Sequence, residues 1–291
     1  MVSDMLDDIL ARQLASDPAF ADIEAVRRVA RTAVSAAGEV IVRMRADGDL
    51  GERLKNPRDV VTAADLESER IVLDIIRAHF PEDSIISEES SAQTTSIAGE
   101  PALLESRSWV LDPIDGTVNY AHGSPLVGIS LGFGFGGIMQ YGIVAMPFLG
   151  LTYEAVRSKG AYRNGQQIVA SNRTTLTESL IATGFPYERS NLEPLLERVR
   201  TILIHCQDLR RCGAASVDLC FVAEGTFEGY LEDVQPWDMA AGLLIAQEAG
   251  AKVGWYHNGG AALPEALRGG GLLVAAPGVF NPLMRLFKPQ S

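Results

Sequence analysis

The chain has 291 residues, 47% of them apolar and 21% charged, with a formal net charge of -12. That is enough to bury a large core in one big domain or two joined ones. The acidic balance, with no Lys/Arg cluster beyond pairs such as Arg27-Arg28 and Arg210-Arg211, argues against a nucleic-acid face.

Residues 1 to about 20 read as a loosely attached leader, and "MVSDMLDDIL" lacks the basic and apolar regions of a signal peptide. Ile23, Val26, Val29 and Ala30 predict a long helix over 22–46. "DGDLGERLKNPRD" reads as a polar loop. "TAADLESERIVLDIIRAHF" predicts a second helix, with Thr62 as N-cap, Asp65 completing a capping box and Pro81 ending it. "SIISEESS" predicts a strand running into Glu88-Glu89, residues 91–107 a polar flap, and "SWVL" a further strand.

Residues 124–152 carry no formal charge and are long enough to span a membrane. Their pattern is that of a strand instead. Val127, Ile129, Leu131, Phe133 and Phe135 alternate with Gly128, Ser130, Gly132 and Gly134, giving one large and one small face. Gly136-Gly137 predicts a turn and 138–146 the returning strand, within a buried sheet covered by helices. Asn164-Gly165 marks another hairpin.

Beyond residue 170 the pattern changes. Strands "SLIATGF", "FEGYLE", "KVGWYHN" and "GLLVAAP" are interleaved with helices at 191–204, 213–224 and "WDMAAGLLIAQEAGA", the last closed by Gly250, before a short final helix. This predicts a mixed α/β chain in two parts, 22–170 and 171–291. Cys206, Cys212 and Cys220 are odd in number and form no C-x-x-C. They read as small core residues of a protein in a reducing, cytoplasmic setting.

In "LDPIDGTVNYAHG" (111–123), Asp112 and Asp115 stand at the end of an apolar run. Glu88-Glu89 and Asp238 also end apolar strands or open helices, and Asp65 lies in a helix's first turn. Taken singly, D-P-x-D-G is turn chemistry, an acid pair is a solvated face and "WD" is a helix cap. Together they are the oxygen donors that magnesium takes, alongside water and phosphate oxygens. Bound cations would neutralise the acids and let an acidic protein hold an anionic substrate. If "TVNYAH" opens a helix, Gly116 and Thr117 offer backbone N–H groups to a phosphate. The Thr117 hydroxyl would orient an attacking water, with Asp65 accepting its proton. Two metals would activate that water and stabilise the leaving oxygen.

At this point the chain resembles the inositol monophosphatase family of magnesium-dependent phosphatases. The resemblance rests on "SEES" (87–90), "WVLDPIDGTVNYAHG" (109–123) and "WDMAAGLLIAQEAGA" (237–251), with a weaker block, "DVVTAADLESE" (59–69). It implies a layered α-β-α-β-α sandwich, two or three Mg2+ ions per site, lithium sensitivity and a homodimer. Glu88, Asp112 and the Ile114 carbonyl would hold one ion, and Asp112, Asp115 and Asp238 a second. Glu89 would act in a second shell or on a third ion, and Thr117 and Asp65 would activate the water. Gly116 and Thr117 amides would hold the phosphate. Gly213 and Ala215, in "RRCGAAS", would lie near the alcohol part. Glu232 would contact an inositol hydroxyl, although its link to Asp238 is about one residue shorter than the family pattern. Lys55 falls near a lysine that often lies by the site.

The implied substrate is a small phosphorylated polyol, inositol 1-phosphate first. Fructose 1,6-bisphosphate, histidinol phosphate and 3′-phosphoadenosine 5′-phosphate remain alternatives, and a non-enzymatic regulatory role is a distant one. No nucleic-acid or membrane partner is expected. A haloacid-dehalogenase-type aspartyl nucleophile needs D-x-D-G-T, whereas Pro113 and Ile114 put one residue too many between these aspartates. His122 reads as a helix-end residue, because magnesium prefers oxygen. Arg210 and Arg211 read equally as substrate contacts or a solvated pair.

Overall fold

A computed structural model describes residues 23–48, 53–56, 59–91, 106–186, 190–257 and 264–287. The leader, most of the flap and the side chain of Lys55 lie outside what it describes. In chain order the elements are α1 (Ile23–Asp47), β1 (Arg53–Asn56), β2 (Asp59–Val61), α2 (Ala63–His79), β3 (Ser84–Ser87), α3 (Glu88–Ser91), β4 (Arg107–Asp115) and α4 (Thr117–Ala121). Then come β5 (Gly128–Phe135), β6 (Ile138–Met146), β7 (Leu151–Val156), β8 (Ala161–Arg163), β9 (Gln166–Ile168) and β10 (Leu180–Thr183). The remainder is α5 (Glu193–His205), β11 (Asp208–Arg210), α6 (Ala215–Ala223), β12 (Gly229–Val234), α7 (Pro236–Glu248), β13 (Lys252–Trp255), β14 (Gly270–Ala275) and α8 (Pro277–Phe287).

Seven strands form one sheet in the order β3-β4-β5-β6-β7-β8-β9, and five form another in the order β11-β10-β12-β14-β13. Three apolar clusters show five layers. Val26, Ala33 and Ile41 of α1 and Val72 and Ile76 of α2 pack on Leu111, Ile129, Leu131 and Phe133 of the first sheet. Val217 and Leu219 of α6 and Leu243 and Leu244 of α7 fill the space between the sheets. Ile202 of α5 and Val279 and Leu283 of α8 cover the far face of the second sheet against Ile181, Leu231 and Leu273. The layered α-β-α-β-α sandwich expected from the resemblance is the fold found.

The alternation in β5 explains how a charge-free segment stays out of a membrane. Its large side chains face α1 and α2, while its glycines let α7 approach closely. A Cβ on Gly132 would lie 3.4 Å from the Ala241 nitrogen, and one on Gly142 of β6 would lie 2.8 Å from the Ala241 oxygen. Gly136 and Gly137 both take positive φ, 58° and 76°, as a tight hairpin turn requires. No helix among the described residues is long and apolar enough to cross a membrane.

Three details depart from the sequence reading. The polar loop after α1 contains the β1–β2 hairpin, whose strands alternate too briefly to show a period. The strand expected as "SWVL" continues to Asp115, straight through the proline. It does so because a β-bulge absorbs the irregularity: Asp112 pairs with Ser130 but Asp115 with Gly128. Short β11, which pairs parallel to β10, was also not legible.

Buried Glu154 of β7 fastens α1 to the sheet. It accepts hydrogen bonds from Arg27 (2.9 Å from Nη2), Arg31 (2.9 Å from Nε) and the Tyr141 hydroxyl (2.8 Å). Burial pushes its carboxyl up, but these donors outweigh burial and hold it at about 2.

Two outcomes are expected. Gly142→Ala will destabilise by about 1–3 kcal/mol through overpacking. Gly38→Ala, inside α1 with its nearest neighbour at 3.4 Å, will stabilise by roughly 0.5–1 kcal/mol through helix propensity. Urea melts measure both. A folded value near 2 against an ordinary 4.5 means that Glu154 stabilises the fold above the ordinary value. That contribution, up to about 3 kcal/mol, is lost as pH falls through the window from 4.5 to about 2. Glu154→Gln will flatten the acid limb of the stability curve in that window.

Candidate active site

β3 and β4 run parallel, with Ser87 beside Leu111, so their carboxyl ends open at the same edge of the sheet. Glu88 and Glu89, half-buried, start α3 there, and Asp112 ends the regular part of β4. The bulge decides the direction of Asp115. In an unbroken strand, residues three apart point to opposite faces. One extra residue restores them to one face. Accordingly Ile114 joins Leu111 in the α1/α2 core, while Asp115 joins Asp112 on the side of α6 and α7.

Two of the acids complete helix capping boxes, and Asp238, read from the sequence as a helix cap, stands inside its helix with Gln235 as the N-cap. Asp65 is the third residue of α2, and its Oδ2 accepts from the Thr62 amide (2.7 Å) and hydroxyl (2.6 Å). Asp238 holds the matching position in α7, accepting from the Gln235 amide at 2.7 Å. Asp115 serves a third helix: it accepts from the amides of Ala215 (3.1 Å) and Ser216 (2.6 Å) and from the Ser216 hydroxyl (2.5 Å) at the start of α6. Helix N-termini favour negative charge, which offsets part of the repulsion among the acids.

That repulsion is centred on Asp112. Burial raises its carboxyl well above the usual range, and the charges of Glu88, Asp115, Asp238 and Asp65 raise it further. Asp238 is raised by burial and by Asp115, Glu88 and Glu232. Asp115 is raised by burial, against the pull of its Ser216 and Ala215 donors and of Arg211. Five acids from four segments thus face one region. Among the described residues, no three His, Cys, Asp or Glu side chains close around one point as a finished ion cage. Asp115 already accepts three hydrogen bonds, which leaves it about one free acceptor position.

Beside the acids, the Thr117 hydroxyl lies 2.9 Å from Asp65 Oδ1 and 3.0 Å from the Ile114 carbonyl. The expected water-activating pair is therefore in contact, and it touches the carbonyl expected to bind metal. Gly116 leads into α4 with φ 91°, and a Cβ there would lie 3.1 Å from Ala214 Cβ and 3.2 Å from the Gly213 oxygen. Gly213, φ 87°, belongs to the same close contact. Ala215 is next to the acids, but its amide N–H is directed to Asp115. Glu232 of β12 is held by the Tyr230 hydroxyl at 2.7 Å. Burial pushes its carboxyl up to about 7 against the pull of Tyr230 and Arg211, and Asp115 and Asp238 feel its neighbourhood.

The sequence reading missed the fasteners. Asn119 donates to the carbonyls of Leu126 (2.7 Å) and Cys212 (2.8 Å), locking the D-P-x-D-G-T-x-N turn onto the segment before α6. Glu69 accepts from the amide and hydroxyl of Ser90, tying α2 to the Glu88 turn. Ser68 donates to the Pro113 carbonyl at 2.7 Å, across the bulge. Asp218 of α6 is buried and raised by burial, Glu232 and Asp115, with the Cys212 thiol donating to it. An acid inside the apolar "SVDLCFVA" was the available signal. Arg210 and Arg211 part company: Arg210 pairs with Asp208 at 2.6 Å, while Arg211 stacks over Phe185 beside the acids. His122 ends α4, exposed.

The sequence profile described as "Inositol monophosphatase family" matches residues 22–285. The chain belongs to the inositol monophosphatase family. Within this family, an inositol-1-monophosphatase of Mycobacterium bovis is 37% identical over 246 residues, 82% of this chain and 81% of that protein. A Nus factor SuhB of Pasteurella multocida is 36% identical over 265 residues, 90% of this chain and 95% of that protein. The solved extragenic suppressor protein suhB of Bartonella henselae superposes with a TM-score of 0.80 at 30% identity, over 92% of this chain and all of that one. The chain is a phosphatase by family, and the family is generally metal-dependent.

Asp112→Asn tests the charge crowding. The amide oxygen keeps the 3.1 Å hydrogen bond from the Ile114 amide but carries no charge. Asp112 is raised in the fold, so ionising it destabilises the metal-free protein as pH rises above the ordinary value of 3.8. In chelator at neutral pH the variant will melt higher than wild type, and the gap will close as pH falls. A lower-melting variant would show that Asp112 is not electrostatically strained.

Proposed function

We propose that the chain hydrolyses small phosphorylated polyols, with inositol 1-phosphate as first candidate, using magnesium and an activated water. The observation that carries this reading is the buried Asp112 carboxylate among four other acids, beside the Thr117–Asp65 contact. The donor set consists of carboxylate and carbonyl oxygens, which fits a hard dication. Magnesium keeps several waters and takes few protein ligands, so an open arrangement suits it better than a closed cage. Glu88, Asp112 and the Ile114 carbonyl would hold one ion, and Asp112, Asp115 and Asp238 a second, with Glu89 near a third. The ions would act as Lewis acids on the phosphate and lower the pKa of bound water.

The chain's own groups do the rest. Thr117 orients the water and relays its proton to Asp65 Oδ1, while Thr62 occupies Oδ2 and keeps that carboxylate aligned. Gly116 and Thr117 present their amides where α4 begins. Gly213 and Glu232 flank the alcohol side, where a carboxyl near 7 hydrogen-bonds a hydroxyl in either protonation state. The name of the Mycobacterium bovis relative supports inositol 1-phosphate. The Pasteurella multocida relative, named a Nus factor, supports a second role as a regulatory partner. The complete acid set favours retained chemistry.

Purified protein with Mg2+ should release phosphate from inositol 1-phosphate faster than from fructose 1,6-bisphosphate, histidinol phosphate or 3′-phosphoadenosine 5′-phosphate. No release from any of the four, with or without metal, would overturn the enzymatic reading. Thr117→Val should lower kcat by roughly 10²-fold or more with little change in KM. A loss confined to KM would move Thr117 from water activation to binding.

A further inference from the structure

Arg211 is exposed on the alcohol side of the site, beside Gly213 and within the field of Glu232. Two other arginines of this half are paired, Arg210 with Asp208 at 2.6 Å and Arg198 with Asp233 at 3.0 Å. Among the described residues Arg211 has no hydrogen-bond or ion-pair partner. It is nevertheless held in place. Its Cζ lies 5.3 Å from the centre of the Phe185 ring. Its Nη1 lies so close over the backbone of Gly213 that a Cβ there would overlap it, with Cζ at 3.3 Å. A stacked guanidinium keeps its planar fork of N–H donors free along its edge.

Glu232 is fixed against the residue before Phe185. A Cβ on Gly184 would overlap its carboxyl, and the Tyr230 hydroxyl donates to it at 2.7 Å. Arg211 attracts this carboxyl, yet the two form no ion pair. A free donor and an acceptor, anchored on adjacent residues, are thus held apart. A group that bridges them must accept from the guanidinium and donate to the carboxyl. Two adjacent hydroxyls of a polyol do both. An anionic substituent would suit Arg211 but be repelled by Glu232 wherever that carboxyl is ionised. We infer that Arg211 is a specificity-determining residue, whose guanidinium shares with Glu232 the grip on adjacent hydroxyls of the leaving alcohol. The inference rests on the polyol-phosphate reading of the site and adds to it the group that selects the alcohol.

Steady-state kinetics with Mg2+ test this by comparing inositol 1-phosphate with p-nitrophenyl phosphate, whose leaving group carries no such hydroxyls. The readout is the ratio of the two kcat/KM values. Arg211→Met keeps an unbranched side chain over Phe185 but has no donor. It should lower the ratio roughly tenfold or more, mainly through KM for inositol 1-phosphate. R211K keeps the charge without the fork and should recover the ratio only in part. Circular dichroism of both variants should match wild type. Equal losses on the two substrates, no loss, or full recovery by R211K would each overturn the inference. So would a larger loss on fructose 1,6-bisphosphate than on inositol 1-phosphate, which would make Arg211 the reader of a second phosphate. A wild type that cleaves p-nitrophenyl phosphate but not inositol 1-phosphate would refute the proposed substrate itself, and the inference would fall with it.

Discussion

Carboxyl groups crowd together at the junction of the two sheets, and much of the local structure serves to hold them there. Left alone, Glu88, Asp112, Asp115, Asp238 and Asp65 would repel one another and move toward water. Three of them are pinned by the backbone amides of helix starts: Asp65 at α2, Asp115 at α6 and Asp238 at α7. Each amide fixes one oxygen's direction and supplies partial positive charge. The residual strain, visible in the raised Asp112 carboxyl, is what a bound cation would relieve. Stability and chemistry therefore pull in opposite directions at this residue.

The bulge in β4 is the backbone counterpart of that arrangement. Pro113 lacks an amide hydrogen and Ile114 is drawn toward the α1/α2 core, so the strand gains one residue without losing either neighbour. The result places Asp112 and Asp115 on one face and turns the Ile114 carbonyl toward Thr117. Ser68 and Asn119 then fasten the two ends of the turn to distant segments. Gly128 opposite Asp115 is part of the same fit, because a Cβ there would strike the Ser216 hydroxyl at 2.5 Å.

Packing makes the arrangement rigid. Glycines on one face of β5 and β6 let α7, and with it Asp238, lie directly on the sheet that carries Asp112. The long-range distribution of the acids across the chain is thereby converted into proximity. Of the outer helices, α2 carries Asp65 into the site, whereas α1 is fastened to the sheet by Glu154 and α5 leaves its apolar face exposed.

The sequence by itself determined the elements with long, regular patterns: α1, the β5–β6 hairpin, the capped starts of α2 and α7, and the acids that end strands. Those signals are local, set by side-chain period and by the preferences of Gly, Asp and Thr for particular backbone positions. It also carried the family's motifs, and with them the layered fold and the candidate ligands. Only the tertiary structure decided which acids meet, because that depends on a one-residue bulge, on parallel pairing of β3 with β4, and on contacts such as Thr117 with Asp65 between segments far apart in the chain. The short strands β1, β2 and β11 and the fasteners Ser68, Glu69 and Asn119 are stabilised by partners rather than by their own neighbours, so no local pattern announced them.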